Sequence, residues 1–362
     1  MPPSTPSTSL KTDSSTSPSE WPKAIMGEAE LEEVMTRPSP KLIQMMRRLE
    51  GDLIILGIAG KMGITLGRLA VRACEAAGVK KRVIGVSRFS DASSRGALEQ
   101  MGMETMACDL LDPEAVAGLP RIPNVIFMAG RKFGTTGAEA LTWAANTLVP
   151  GNAAHHYMKS RIVAFSTACV YPLAEVLKGG CTETDPVGPI GSYAQSCLGR
   201  EMVFDYYSQV HKTPTLLFRL SYAIDLRYGV LREIADKVWS GAPLDVTTGY
   251  ANVIWQGDAN SQALLSLEHC IAPAKVLNVT GRQMISIREV ALRFGKLMGK
   301  TPQIVGKEAP TALVINSRLA SEILEESRVT LDQMIEWTNH WVVQNGRSLN
   351  KPTHFEERSG QF

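Results

Sequence analysis

The chain has 362 residues, 44% of them hydrophobic, which is enough material for one large α/β unit or two closely joined domains. Lysine and arginine total 38 against 36 for aspartate and glutamate, a formal net charge of +2 with the signs interspersed, so electrostatics give no reason to expect nucleic acid or an anionic membrane as partner. The longest apolar run, 53–59, is far short of the roughly 20 residues that cross a bilayer, and the six cysteines are scattered without a Cys-x-x-Cys pair, which points to a reducing, cytoplasmic setting without zinc or disulfides.

Fifteen of the first twenty residues are Ser, Thr or Pro. Such a segment buries too little apolar surface to offset its ordering entropy, and residues 1–22 read as a disordered tail. No secretory signal pattern occurs there. A transit peptide is disfavoured by the lack of Arg and by the acidic Asp13 and Glu20. Residues 23–50 read as a helical extension, with helices at 29–35 and 41–49 around Pro38 and Pro40, expected to pack on the edge or bottom of a sheet. From Asp52 onward, apolar β-type runs appear at 53–56, 82–86, 125–128, 162–165, 216–220 and 276–279. Helix-period segments such as 65–77, 138–157 and 260–268 lie between them. Near-continuously apolar strands alternating with helices predict an α/β fold, a Rossmann-type doubly wound parallel sheet covered on both faces. Past Ser221 the rhythm changes, with helices expected at 230–239 and 287–298 and short strands at 244–247 and 303–305. The expected organisation is a Rossmann domain over 51–221, to which 250–281 return, and a smaller C-terminal α/β substrate lobe from 222–249 and 282–362. That lobe should cover the carboxyl ends of the strands, where such folds bind ligands.

The segment Gly57-Ile58-Ala59-Gly60-Lys61-Met62-Gly63 follows the first strand and opens the helix expected to begin near Ile64. The first glycine permits the tight turn, the second lets backbone approach a pyrophosphate, and the third lets helix and strand pack closely. The helix N-terminus offers free N–H groups and a positive dipole end to that pyrophosphate. Gly57, Gly60, Lys61, Met62 and Gly63 are therefore candidate contacts to a nicotinamide dinucleotide. An acidic residue ending the second strand would hold an unmodified ribose and repel a 2′-phosphate. Here Ser87 and Arg88 stand at that point, and an arginine fork pairs readily with phosphate. This favours NADP, with NAD as the other possibility and Arg88 then a solvated loop residue. Asp109 and Leu110 either border the adenine or belong to a turn in which Asp109 is a helix N-cap.

These residues resemble the extended short-chain dehydrogenase/reductase family, in its NAD-dependent epimerase/dehydratase branch, over roughly residues 51 to 340. The glycine turn is similar to that family's nucleotide loop. Phe127-Met128-Ala129-Gly130 resembles its fourth-strand segment, which places Ala129 and Gly130 beside the cofactor, and Asn146 matches a helix asparagine that organises the sheet. Phe165-Ser166-Thr167-Ala168-Cys169-Val170-Tyr171 is similar to the segment that carries the catalytic Ser or Thr, at Thr167. Glu183, Pro186 and Pro189 lead to Ser192-Tyr193, as they lead to the family's catalytic tyrosine. Arg219-Leu220-Ser221-Tyr222 resembles the strand end entering the substrate lobe, and Leu277-Asn278-Val279-Thr280-Gly281 a late family stretch. The resemblance implies an oxidoreductase or epimerase acting on a hydroxyl or keto carbon of a sugar or sugar-like metabolite.

One departure bears directly on that chemistry. The family's tyrosine is followed four residues later by a lysine that holds the nicotinamide ribose and lowers the tyrosine pKa. Here Cys197 occupies that position. Tyrosine titrates near 10, so unassisted phenolate at pH 7 costs about 4 kcal/mol, and cysteine supplies no positive charge to help. Deprotonating an alcohol is impaired, whereas donating a proton from neutral Tyr193 to a ketone is not. Arg131 and Lys132 after the fourth strand, Tyr222, and Arg227 are candidate substrate contacts. Arg227 clamps an anionic group or serves as a structural loop residue. Arg200 is expected to form a surface ion pair. Cys197 is either a nucleophile or inert packing, and Thr167 either faces substrate or satisfies strand-end backbone. His155-His156 lack the partners of a metal site and read as surface or capping residues. Met202, Val203, Phe204, Tyr206 and Tyr207 are apolar enough for a homodimer interface or for ordinary core. A dinucleotide-binding sensor or scaffold without turnover is the alternative function.

Overall fold

The computed structural model describes residues 21–90, 92–132, 134 and 137–360. Most of the expected tail, residues 1–20, lies outside the described residues. Seven strands form one parallel sheet: β1 (Leu53–Leu56), β2 (Val83–Ser87), β3 (Glu104–Ala107), β4 (Asn124–Phe127), β5 (Arg161–Thr167), β6 (Thr215–Leu220) and β7 (Lys275–Val279). Their order is β7-β6-β5-β4-β1-β2-β3. Because β1 lies between β2 and β4, connections run outward in both directions from it, and a crevice opens beyond the carboxyl ends of β1 and β4. This is the doubly wound α/β fold. The edge strand β3 was not marked by any apolar run, because Glu104–Ala107 has no buried position.

Alternate strand residues serve opposite faces. Leu53 and Ile55 join one core with Met45 and Met46 of α2 (Pro40–Arg48) and Leu66 and Leu69 of α3 (Gly63–Ala77). Ile54 and Leu56 join Phe127, Tyr157 and Phe204 on the other face. The N-terminal extension does not stay at the sheet as expected. Only α2 packs there, while α1 (Glu28–Met35) gives Leu31, Val34 and Met35 to a third core built by the later residues Trp255, Phe294, Trp337 and Trp341. An apolar stripe on an eight-residue helix says that it is buried, not against what.

The expected helix 138–157 is broken into Glu139–Trp143, a wide π turn at Ala144–Leu148, and Val149–His156. Pro150 has no N–H to return to the carbonyl of Asn146, and the wider turn absorbs that missing bond. The turn directs Asn146, which is fully buried, at the end of β4. The long helix α4 (Gly191–His211) follows, and its Phe204 packs edge-on against Phe127 at 5.0 Å.

Candidate active site

A cleft at the carboxyl ends of β1, β4, β5 and β6 brings together Gly57, Gly60, Lys61, Thr167, Tyr193 and Tyr222. Lys132, Ser166, Cys169, Tyr228, Leu313 and Thr353 also line its wall. Its outer side comes from residues beyond 221, including the late segment at Thr353, which no sequence pattern tied to the glycine turn.

Two of the turn's glycines are required by geometry. Gly57 has φ 91°, and a Cβ there would lie 2.7 Å from the Ala129 nitrogen. A Cβ on Gly63 would collide with the Ile58 carbonyl, so the start of α3 can press onto the turn only without a side chain. The turn also fits a diphosphate. A Cβ on Gly60 would meet nothing nearer than the Gly57 carbonyl at 3.4 Å, leaving its face open, and Met62, the N-cap of α3, caps no N–H with its side chain. Ser87 is half-buried at the end of β2 and Arg88 is exposed beside it. Asp109 is exposed and accepts from the Leu111 N–H at 3.0 Å, whereas Leu110 is buried in the core. The N-cap of the helix Pro113–Ala117 is Asp112, not Asp109.

Thr167 ends β5 and lines the cleft, and its hydroxyl accepts from the Cys169 N–H at 3.2 Å. Tyr193, two residues into α4, is buried against this segment. Burial first, then the neighbouring Cys197 and Cys169 thiols, push the Tyr193 phenol well above its usual range, with Arg200 pulling weakly the other way. Cys197 is wholly buried behind Tyr193, hydrogen-bonded to it, and outside the cleft wall; burial pushes its thiol up to about 11. A thiol so placed is a poor nucleophile.

Arg200 corrects the sequence expectation. It is buried rather than on the surface, with Nη1 donating to the Phe165 carbonyl at 2.8 Å and Nη2 to Asn146 Oδ1 at 2.5 Å. No carboxylate pairs with it among the described residues. Asn146 also accepts from the Arg131 N–H at 2.9 Å and donates to Ser196 Oγ at 2.9 Å, tying β4, the π turn and α4 together. The side chain of Arg131 turns to the Gly134 carbonyl, 2.7 Å away, and leaves the cleft to Lys132. Arg227 is likewise turned away, bound to Asp225 at 3.2 Å and Glu28 at 3.3 Å. His156 is buried, with Nε2 at 3.0 Å from the Leu119 carbonyl, which corrects the surface reading for that member of the pair.

Two features of the site had no clear signal in the sequence. One is a buried network in which Glu201 on α4 accepts from Ser166 Oγ at 2.5 Å and from Arg219 Nη2 at 2.6 Å, while Arg219 Nη1 donates to Tyr171 Oη at 2.6 Å. It fixes α4 against β5 and β6 and so sets Tyr193 relative to Thr167. The other is the Lys61 side chain. It leaves the glycine turn and crosses to the Ala223 carbonyl, 3.1 Å from Nζ, with Nζ 4.0 Å above the centre of the Tyr228 ring. Burial lowers its pKa to about 7.

Residues 53–224 match the sequence profile of the NAD dependent epimerase/dehydratase family. No curated protein sequence matches the chain. Among solved structures, MoeE5 in complex with UDP-glucose and NAD is similar over 82% of this chain and 99% of its own, at 19% identity and a TM-score of 0.64. UDP-glucuronic acid 4-epimerase from Bacillus cereus in complex with NAD is similar over 82% and 99%, at 16% identity and a TM-score of 0.66. DesIV, a dTDP-glucose 4,6-dehydratase from Streptomyces venezuelae with NAD and TYD bound, covers 81% and 97%, at 16% identity and a TM-score of 0.68. Likeness at these identities establishes the fold.

Proposed function

We propose, from the match of residues 53–224 to the NAD dependent epimerase/dehydratase family, that the chain is a nicotinamide-dinucleotide oxidoreductase or epimerase acting on a hydroxyl or keto carbon of a sugar or sugar derivative. The observation that carries this reading is that the open glycine turn, Thr167 and Tyr193 border one cleft. When bound, the dinucleotide supplies or accepts the hydride. The backbone of Gly60, Lys61 and Met62 holds its diphosphate, and Ala129 and Gly130 stand beside it at the end of β4. Thr167 orients the reacting substrate oxygen. Tyr193, kept neutral by burial, donates its O–H proton to that oxygen as hydride reaches the carbon, so that a ketone becomes an alcohol. Ser87 and Arg88 at the end of β2, where an acidic residue would repel a 2′-phosphate, support NADP as at least an equal of the NAD held by the structural neighbours. Tyr222 and Lys132 line the substrate side.

A second reading, a sensor or scaffold that binds the dinucleotide without turnover, draws on the replacement of the family's lysine by a buried Cys197. The test is to titrate NADH and NADPH by their fluorescence and then assay oxidation against keto-sugars. Binding with turnover supports the enzyme, binding without turnover the sensor, and no binding refutes both. We also propose a homodimer through the exposed apolar positions Leu148, Met202, Tyr206 and Val210 on neighbouring helices, since Phe204 alone of the expected stretch is fully buried.

A further inference from the structure

The ammonium of Lys61 is held inside the cleft by uncharged groups alone. Its contacts are the Ala223 carbonyl and the face of Tyr228, and no carboxylate lies within ion-pair distance among the described residues. The charges that act on it are Asp225, Lys132, Arg227 and Lys351. Three of those four are positive. The single acid is committed elsewhere, because Asp225 Oδ1 accepts from the Arg227 N–H at 2.6 Å and Oδ2 faces the Arg227 guanidinium at 3.2 Å. A second ammonium, that of Lys132, borders the same cleft and is hydrogen-bonded to the Tyr228 hydroxyl. Buried charge is ordinarily paired. Here the cleft holds a lysine with no carboxylate in ion-pair contact among the described residues, and the one acid that acts on it, Asp225, is bound to Arg227.

We propose that the cleft receives an oxyanion of the substrate at Lys61 and Lys132, and that the substrate is therefore a sugar acid or similar carboxylate-bearing polyol rather than a neutral sugar. This inference rests on the dinucleotide-binding reading given above. The diphosphate of the dinucleotide is the other source of an oxyanion. The direction of the side chain favours the substrate: the backbone of the turn faces the diphosphate, while the Lys61 side chain runs away from it to Ala223 and Tyr228, beyond the end of β6. Lys61 thus has two separable jobs, its N–H in the turn and its ammonium across the cleft.

Proton uptake tests this directly. Burial lowers the Lys61 pKa to about 7 in the free protein, and an oxyanion beside it restores the value towards the ordinary 10.4, so binding should take up most of a proton at pH 8 and little at pH 6. Calorimetric titrations in two buffers of different ionisation enthalpy measure that uptake. The full chain is titrated with dinucleotide first, then with D-gluconate and, separately, D-glucose. The expected result is little uptake on dinucleotide binding, uptake with gluconate, and binding of glucose at least tenfold weaker. Lys61→Met should remove the uptake and weaken gluconate, and Lys61→Arg should keep gluconate binding without uptake. Uptake on dinucleotide binding alone assigns the anion to the cofactor and overturns the proposal, as does glucose binding equal to gluconate or no gluconate binding at 10 mM. Failure of the dinucleotide to bind at all refutes the earlier reading instead.

Discussion

Replacing Arg219 by methionine should destabilise the protein out of proportion to the atoms removed. Glu201 is wholly buried, and the Arg219 side chain is 6% exposed. The carboxylate accepts two bonds from Arg219, at 2.9 and 2.6 Å, and one from Ser166. Methionine keeps most of the apolar stem but leaves a buried carboxylate with Ser166 alone. Removing one member of a buried pair costs roughly 3–5 kcal/mol, and Glu201→Leu should cost about the same by stranding the guanidinium. The double variant Arg219→Met/Glu201→Leu has no orphan charge. Tyr171 retains Asn278 as partner at 2.9 Å, so only Ser166 loses its acceptor, and the net cost should fall to about 1–2 kcal/mol. Urea unfolding followed by far-ultraviolet circular dichroism and tryptophan fluorescence measures all four proteins. A single variant losing less than about 1 kcal/mol, or a double variant losing the sum of the singles, would refute the reasoning.

Restoring the family's lysine by Cys197→Lys should not by itself awaken the site. The new ammonium would be buried beside Arg200, destabilising the fold by about 3 kcal/mol or more; Cys197→Lys/Arg200→Ala should recover stability, and thermal melts of the two variants decide it, with equal melts counting against the argument. Lys61→Met should stabilise the ligand-free protein near pH 6. The folded pKa of Lys61, about 7, lies below its unfolded value, so the unfolded chain binds the extra proton between these values and the wild type gains stability as pH rises through that window. The melting difference should close by pH 10.5, and a constant difference contradicts it. Met202→Asp with Tyr206→Asp should halve the mass seen by sedimentation, and a monomeric wild type would end the dimer proposal.

Legibility in the sequence followed the range of the forces involved. The strand β1, the glycine turn and α3 carry their signal in consecutive residues, and that pattern placed them to within two residues. β3 carried no apolar run, because an edge strand need not be apolar, and only the numbering of Phe127 as a fourth-strand residue implied it. The segment at Asn146 read as a plain helix, since a single Pro150 does not reveal that the turn before it widens. Arg200 misled for a different reason. Charge on a long helix usually means surface, and its partners, the Phe165 carbonyl and Asn146, come from elements remote in sequence. The pairing of Glu201 with Arg219 and the crossing of Lys61 to Tyr228 are tertiary facts. Motif spacing named those residues' neighbourhoods but could not say which charges met a partner and which did not.

A crystal structure of the protein soaked with NADP or NAD tests the whole interpretation most directly. The diphosphate should lie on the amides that open α3, against Gly60, with the nicotinamide facing Thr167 and Tyr193. Dinucleotide density elsewhere, or a glycine turn that stays bare at saturating ligand, would contradict it.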